Sequence, residues 1–180
     1  MTTLQIIPWV PIPYAPIAVF VVGHIWRYRY DKFGWTTRSS QTYENRLLRW
    51  GSPMFHFGIL MVIAGHVVGL FIPREWPYAI GINEEMYHIG ATVLGPFAAV
   101  LTPAGLATLI YRRRTVGPAF LATTTMDKVM YVFLGATLLF GTAATVVYQV
   151  FGGGFRYRET ISPWIRSIFL FQPQVELMAE

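Results

Sequence analysis

Two histidines, His56 and His66, stand ten residues apart within the apolar run PMFHFGILMVIAGHVVGLFIP, Pro53–Pro73. In an α-helix that separation is a rise of about 15 Å and a rotation about 80° short of whole turns. The imidazoles then sit at different depths on broadly the same side. Gly58, Gly65 and Gly69 are expected near that side, where glycine lets a flat bulky group or another backbone come very close. An ionisable side chain inside such a run is costly and points to function. Neutral imidazole is the standard axial ligand of b haem, and bis-histidine ligation makes a haem that carries electrons rather than activating oxygen. Zinc would need three or four ligands converging at one depth. The plain alternative, a histidine hydrogen-bonded to a neighbouring helix, suits one such residue better than a pair with this spacing.

Other residues have weaker chemistry. His24 lies beside WRYRY at the end of an earlier apolar run and reads as an interfacial or hydrogen-bonded histidine. His88 opens a later run at the depth of the His66 end, where it can bind or deprotonate a quinol or simply start a helix. Arg112, Arg113 and Arg114 form a stop-transfer cluster, and the guanidinium of Arg112 also suits a haem propionate.

The elements that hold these residues are membrane helices. Of 180 residues, 54% are hydrophobic and 13% charged, too apolar for a soluble domain. The net charge of +5 does not indicate nucleic acid, because the basic residues cluster at the ends of apolar runs. Absence of cysteine excludes thiolate-ligated zinc, iron–sulfur clusters and haem within the chain. The first 26 residues hold no Lys or Arg, unlike a cleaved signal, so the first helix should stay.

The expected fold is all-α: a single membrane domain over residues 1–180, with spans at about 14–30, 53–73, 88–111 and 128–151 and an outer-surface segment over 155–180. The inner loops hold ten Lys/Arg, six from Arg27 to Arg49 and four from Arg112 to Lys128, against four outside, which places the N-terminus outside. Pro96 and Pro103 should kink the third span. Thr123–Asp127 can cap the fourth helix. Ser162–Phe171 is too short to cross and should lie on the outer surface.

HFGILMVIAGH, the preceding RYRYDKFGWTTRSSQ, the YRRR closing the third span and ATTTMDK before the fourth resemble the gamma subunit of respiratory nitrate reductase, a membrane cytochrome b. GINEEMYHIGATVLG is similar to the actinobacterial branch. The resemblance implies five spans, two b haems, and oxidation of a quinol, menaquinol being expected, near the outer face of the cell membrane. Electrons would pass to a cytoplasmic beta subunit with Fe–S clusters and on to a molybdenum-containing alpha subunit that reduces nitrate. By the same resemblance His56 is an axial ligand of the inner, proximal haem and His66 of the outer, distal haem, beside a quinol site that takes in Gly65, His66 and His88. The family's second axial histidines lie on the fifth span. The sequence stops before one, which implies a truncated or incompletely determined chain, or a helix on another polypeptide. Two other readings fit: a cytochrome b of another quinone-linked reductase, such as a sulfur-cycle enzyme, and a haem-free membrane anchor for soluble subunits.

Overall fold

A computed structural model describes residues 6–34, 42–151 and 157–178. The described chain is helical, with α1 at Pro11–Tyr30, α2 at Arg46–His66, α3 at Glu75–Ala79, α4 at Glu84–Thr115, α5 at Gly117–Leu121, α6 at Thr125–Thr145 and α7 at Ile161–Phe169. Two helices end in a wider π-turn: Val67–Phe71 after α2 and Val146–Phe151 after α6. Arg38 and Arg156 from the charge count lie outside the described residues.

Among the described residues three helices are long and apolar enough to cross a membrane: Arg46–Phe71, Glu84–Thr115 and Thr125–Thr145, with mean hydropathies of 2.0, 1.8 and 1.4. At 1.5 Å per residue even the shortest covers a hydrocarbon core of about 30 Å. Helix α1 forms where a first span is expected, yet it is less apolar. Pro11 and Pro13 begin it, Pro16 lies inside it, and it closes on Arg27 and Arg29, leaving a short apolar centre at Ile17–Val22.

The chain forms two compact units. One comprises Ser39–Val68 and Pro73–Phe155 and contains α2, α4 and α6. Its core is built on small residues. A β-carbon on Gly51 would lie 2.9 Å from Thr108 Cγ2, and one on Gly58 would lie 2.9 Å from the backbone nitrogen of Thr102. One on Gly105 would strike the backbone of Phe55, 2.8 Å from its Cα. With no hydrophobic drive between helices in lipid, such close backbone approach is what binds them. Thr102 is fully buried there and donates its hydroxyl to Ala98 O at 2.7 Å, so it adds no unsatisfied polar atom. Helix α6 joins through Thr142 Oγ1, 3.3 Å from Ala99 O, and keeps no residue fully buried.

Helix ends follow local chemistry. Asn83 accepts the Met86 amide at 2.8 Å and starts α4 four residues before the expected His88. Glu84 and Glu85 belong to this first turn, where acidic groups suit the helix dipole. Thr124 and Asp127 form a reciprocal capping box at α6, the expected cap region, and the helix begins at Thr125. Helix α4 runs through both Pro96 and Pro103.

The other unit comprises Met1–Arg38, Gly69–Ile72 and Arg156–Glu180. Here α7 is a nine-residue helix, as short as its sequence suggests, with Ser162, Ser167 and Ile168 buried and Phe169 exposed. Trp164 Nε1 donates to Trp9 O at 3.2 Å and Tyr14 Oη donates to Ile168 O at 2.8 Å, tying α7 to α1 and the residues before it.

Filling the glycine contact should separate the two helices. Gly105→Val is expected to destabilise the protein by about 1–3 kcal/mol through overpacking, whereas Gly65→Ala, whose β-carbon meets nothing within 4 Å, should change little. Thermal unfolding in detergent measures both, and equal effects would contradict this packing.

Candidate functional site

Both histidines of α2 are exposed, and each is held the same way. His56 Nδ1 is 2.8 Å from Ser52 O, and His66 Nδ1 is 2.7 Å from Val62 O. A carbonyl can only accept, so Nδ1 is the donor, and in the neutral ring Nε2 is then the nitrogen with the lone pair. That is the tautomer in which a metal ligand is presented, its other nitrogen oriented by a backbone oxygen. The bond follows from helix geometry, since the side chain leans back toward residue i−4. Neither Nε2 has a protein hydrogen bond among the described residues. Ser52 Oγ adds a 3.3 Å contact to His56 Nδ1.

The surroundings are apolar. Phe57 and Leu60 are exposed near His56, and Ile63, Val67 and Val68 near His66. An exposed neutral imidazole among exposed aliphatic and aromatic side chains fits a broad apolar plate with a central metal, which is what haem is. Among the described residues no three His, Asp or Glu side chains converge on one point.

The glycines need a correction. Gly58 does not lie beside His56: two residues along a helix is a turn of about 200°, and Gly58 is buried against Thr102 of α4. His66 is about 80° around from Gly58. The backbone-approach role therefore belongs to Gly58, while Gly65, next to His66, faces open space.

The remaining candidates separate. His24 Nδ1 meets Phe20 O at 2.8 Å, the same i−4 bond. His88 is exposed in the first turns of α4, its Nδ1 3.4 Å from Thr92 Oγ1. Arg112, the candidate for a propionate, is buried at 2% exposure. Its Nε donates to Glu44 Oε2 at 2.8 Å and its Nη2 to Glu44 O at 2.8 Å. The structure gives this guanidinium a different anion, because the chain before α2 carries its own carboxylate to the C-terminal end of α4. Glu44 Oε1 also accepts the Leu47 amide at 2.7 Å. Partial burial pushes the Glu44 carboxyl up, but the Leu47 amide, Arg112 and the Leu48 amide together hold it below its ordinary value. Arg113 lies 3.8 Å from Asp127 Oδ2.

Glu44 was not singled out by the sequence. The available signal was electrostatic: apart from Asp31 it is the single acidic residue between α1 and α2, at the membrane face to which Arg112 also returns.

The model of the nitrate reductase gamma subunit family matches residues 5–180. The nitrate reductase-like protein NarX of Mycobacterium tuberculosis is 56% identical over 173 residues, 96% of this chain and 26% of that protein. The nitrate reductase gamma chain of Bacillus subtilis is 40% identical, covering 94% of this chain and 76% of its own length. The respiratory nitrate reductase 2 gamma chain of Escherichia coli is 31% identical over 89% and 70%. The chain thus spans about a quarter of the mycobacterial relative.

The Glu44–Arg112 pair should show in acid. A carboxyl held below its unfolded value adds stability above that value and loses it as pH falls through the folded one. Stability is expected to drop below about pH 4, and Glu44→Gln should be less stable at neutral pH and lack that component. Unfolding midpoints from pH 7 to 3 test this; identical pH profiles for the two proteins would contradict it.

Proposed function

The chain belongs to the nitrate reductase gamma-subunit family, and from that premise we propose that it is a dihaem cytochrome b membrane subunit that oxidises quinol near the outer face of the cell membrane and delivers electrons inward for nitrate reduction. The observation that carries the reading is the pair His56 and His66 on one long apolar helix, each with Nδ1–H on a backbone carbonyl and Nε2 turned outward. His56 would hold the inner haem and His66 the outer one, one axial position each. A bound b haem supplies a one-electron carrier in a region of low dielectric.

The chain's own residues do the rest. Two depths are needed because a core of about 30 Å is too thick for one short step, and ten residues of helix separate the ligands by about 15 Å. The carbonyls of Ser52 and Val62 hold each Nδ1 and so fix the orientation of each ring. Quinol docks at the outer ends of α2 and α4. There Gly65 leaves open space beside His66, and His88 accepts a hydroxyl proton at a ring nitrogen and releases it outside. The N-terminus is outside, and the basic loops before α2 and after α4 face the cytoplasm. At that inner face the electrons go to an Fe–S beta subunit and then to a molybdenum alpha subunit, where nitrate is reduced. Electrons moving in and protons released out together separate charge.

His66→Ala in the full complex is expected to remove the outer b-type component from the reduced-minus-oxidised spectrum and abolish quinol-linked nitrate reduction, while reduction by an artificial soluble donor survives. A wild-type complex with no b-type absorbance would instead make the chain a haem-free anchor. His88→Ala should slow quinol oxidation by about 100-fold, the scale of a lost general base, with both haem signals intact; unchanged quinol kinetics would remove His88 from the mechanism.

A further inference from the structure

The run of helix that holds His66 does not end by itself. Immediately after the histidine the backbone widens into the π-turn Val67–Phe71, and the helix stops there, ahead of Pro73, so its last carbonyls, Leu70 O among them, lack helical amides to accept from. In an apolar medium an unpaired carbonyl there would cost several kcal/mol. The Leu70 carbonyl, one turn beyond His66, is met by side chains of α7. Ser162 Oγ donates to Leu70 O at 2.8 Å, and Arg166 Nη1 stands 3.4 Å from the same oxygen. Arg166 Nη1 also donates to Ser162 Oγ at 2.7 Å. A guanidinium thus polarises a hydroxyl aimed at the helix end, an arrangement that strengthens each bond.

The node is buried and braced. Ser162 is 1% exposed. Phe71, the last residue of the π-turn, packs edge-on against Phe169 with ring centroids 5.1 Å apart. Helix α7 is anchored in turn by Trp9, whose ring meets that of Trp164 at 5.5 Å, and by the Tyr14 hydroxyl.

We propose that Ser162 and Arg166 are positioning residues for His66. A π-turn carries an extra residue per turn and is less stable than the α-form. Fixing the Leu70 carbonyl keeps that turn wound as it is, and so keeps the turn that carries the His66 ring from fraying or rewinding. The short surface helix is then a clasp that sets the orientation of the outer ligand without touching it. This rests on the reading of His66 as an outer-haem ligand.

The experiment places Ser162→Ala, Ser162→Thr and Arg166→Gln in the full-length protein, assembled in native membranes. It reads low-temperature EPR of the two ferric haems together with KM for a quinol analogue. Ser162→Ala and Arg166→Gln should shift or broaden the outer-haem signal, leave the inner one unchanged, and raise KM several-fold. Ser162→Thr, which keeps a hydroxyl, should retain the wild-type signal. If Ser162→Ala does not accumulate, Ser162→Cys, a weaker donor, should give a smaller shift of the same kind. Two unchanged haem signals, equal changes in both, or a threonine variant as altered as alanine would overturn the proposal. A wild-type complex without b haem would instead sink the parent reading, leaving the clasp merely structural.

Discussion

On the side of α2 that faces α4 there is no room for a side chain. Gly58 meets the backbone of Thr102, and Gly105 meets the backbone of Phe55. The remaining features of this unit follow from that contact. It consumes one face of α2, so the residues half a turn away, His56 among them, point outward. It brings the N-terminal end of α2 and the C-terminal end of α4 together, so that Arg112 is buried and Glu44 reaches it across 68 positions of sequence. In a membrane such a contact gains from packing alone, and the cost of a single added methyl group is correspondingly direct.

The outward face is made chemically definite by the smallest available device, a carbonyl four residues back. It settles which ring nitrogen is protonated in His56, His66 and also His24. The identical bond at His24 is instructive. Local geometry prepares a helical histidine in this way wherever its ring leans back on the i−4 carbonyl, as at His24 though not at His88, and what sets His56 and His66 apart is their place together on one apolar helix of spanning length.

Much of the fold was legible because it depends on short-range patterns. The apolar runs marked the long helices, ATTTMDK marked a capping box, and SPWIRSIFLF marked a helix too short to cross. One pattern could serve two purposes. The glycines of α2 allow a flat group or another backbone to come close, and at Gly58, set opposite His56, it is the backbone of α4 that does so. Neither the Glu44–Arg112 pair nor the Ser162–Leu70 bond could be read, since both join segments more than sixty residues apart. The π-turns have no compositional mark at all. The histidine pair was legible as a candidate from spacing alone, and the role proposed for it rests on the family resemblance.

The central claim is that one helix presents one ligand to each of two haems. The most direct test is the ratio of haem b to this polypeptide in the purified complex, read by pyridine haemochrome absorbance against quantified protein. The account predicts a ratio of about two, as separate axial histidines require. A ratio of one, or no haem b at all, would contradict it.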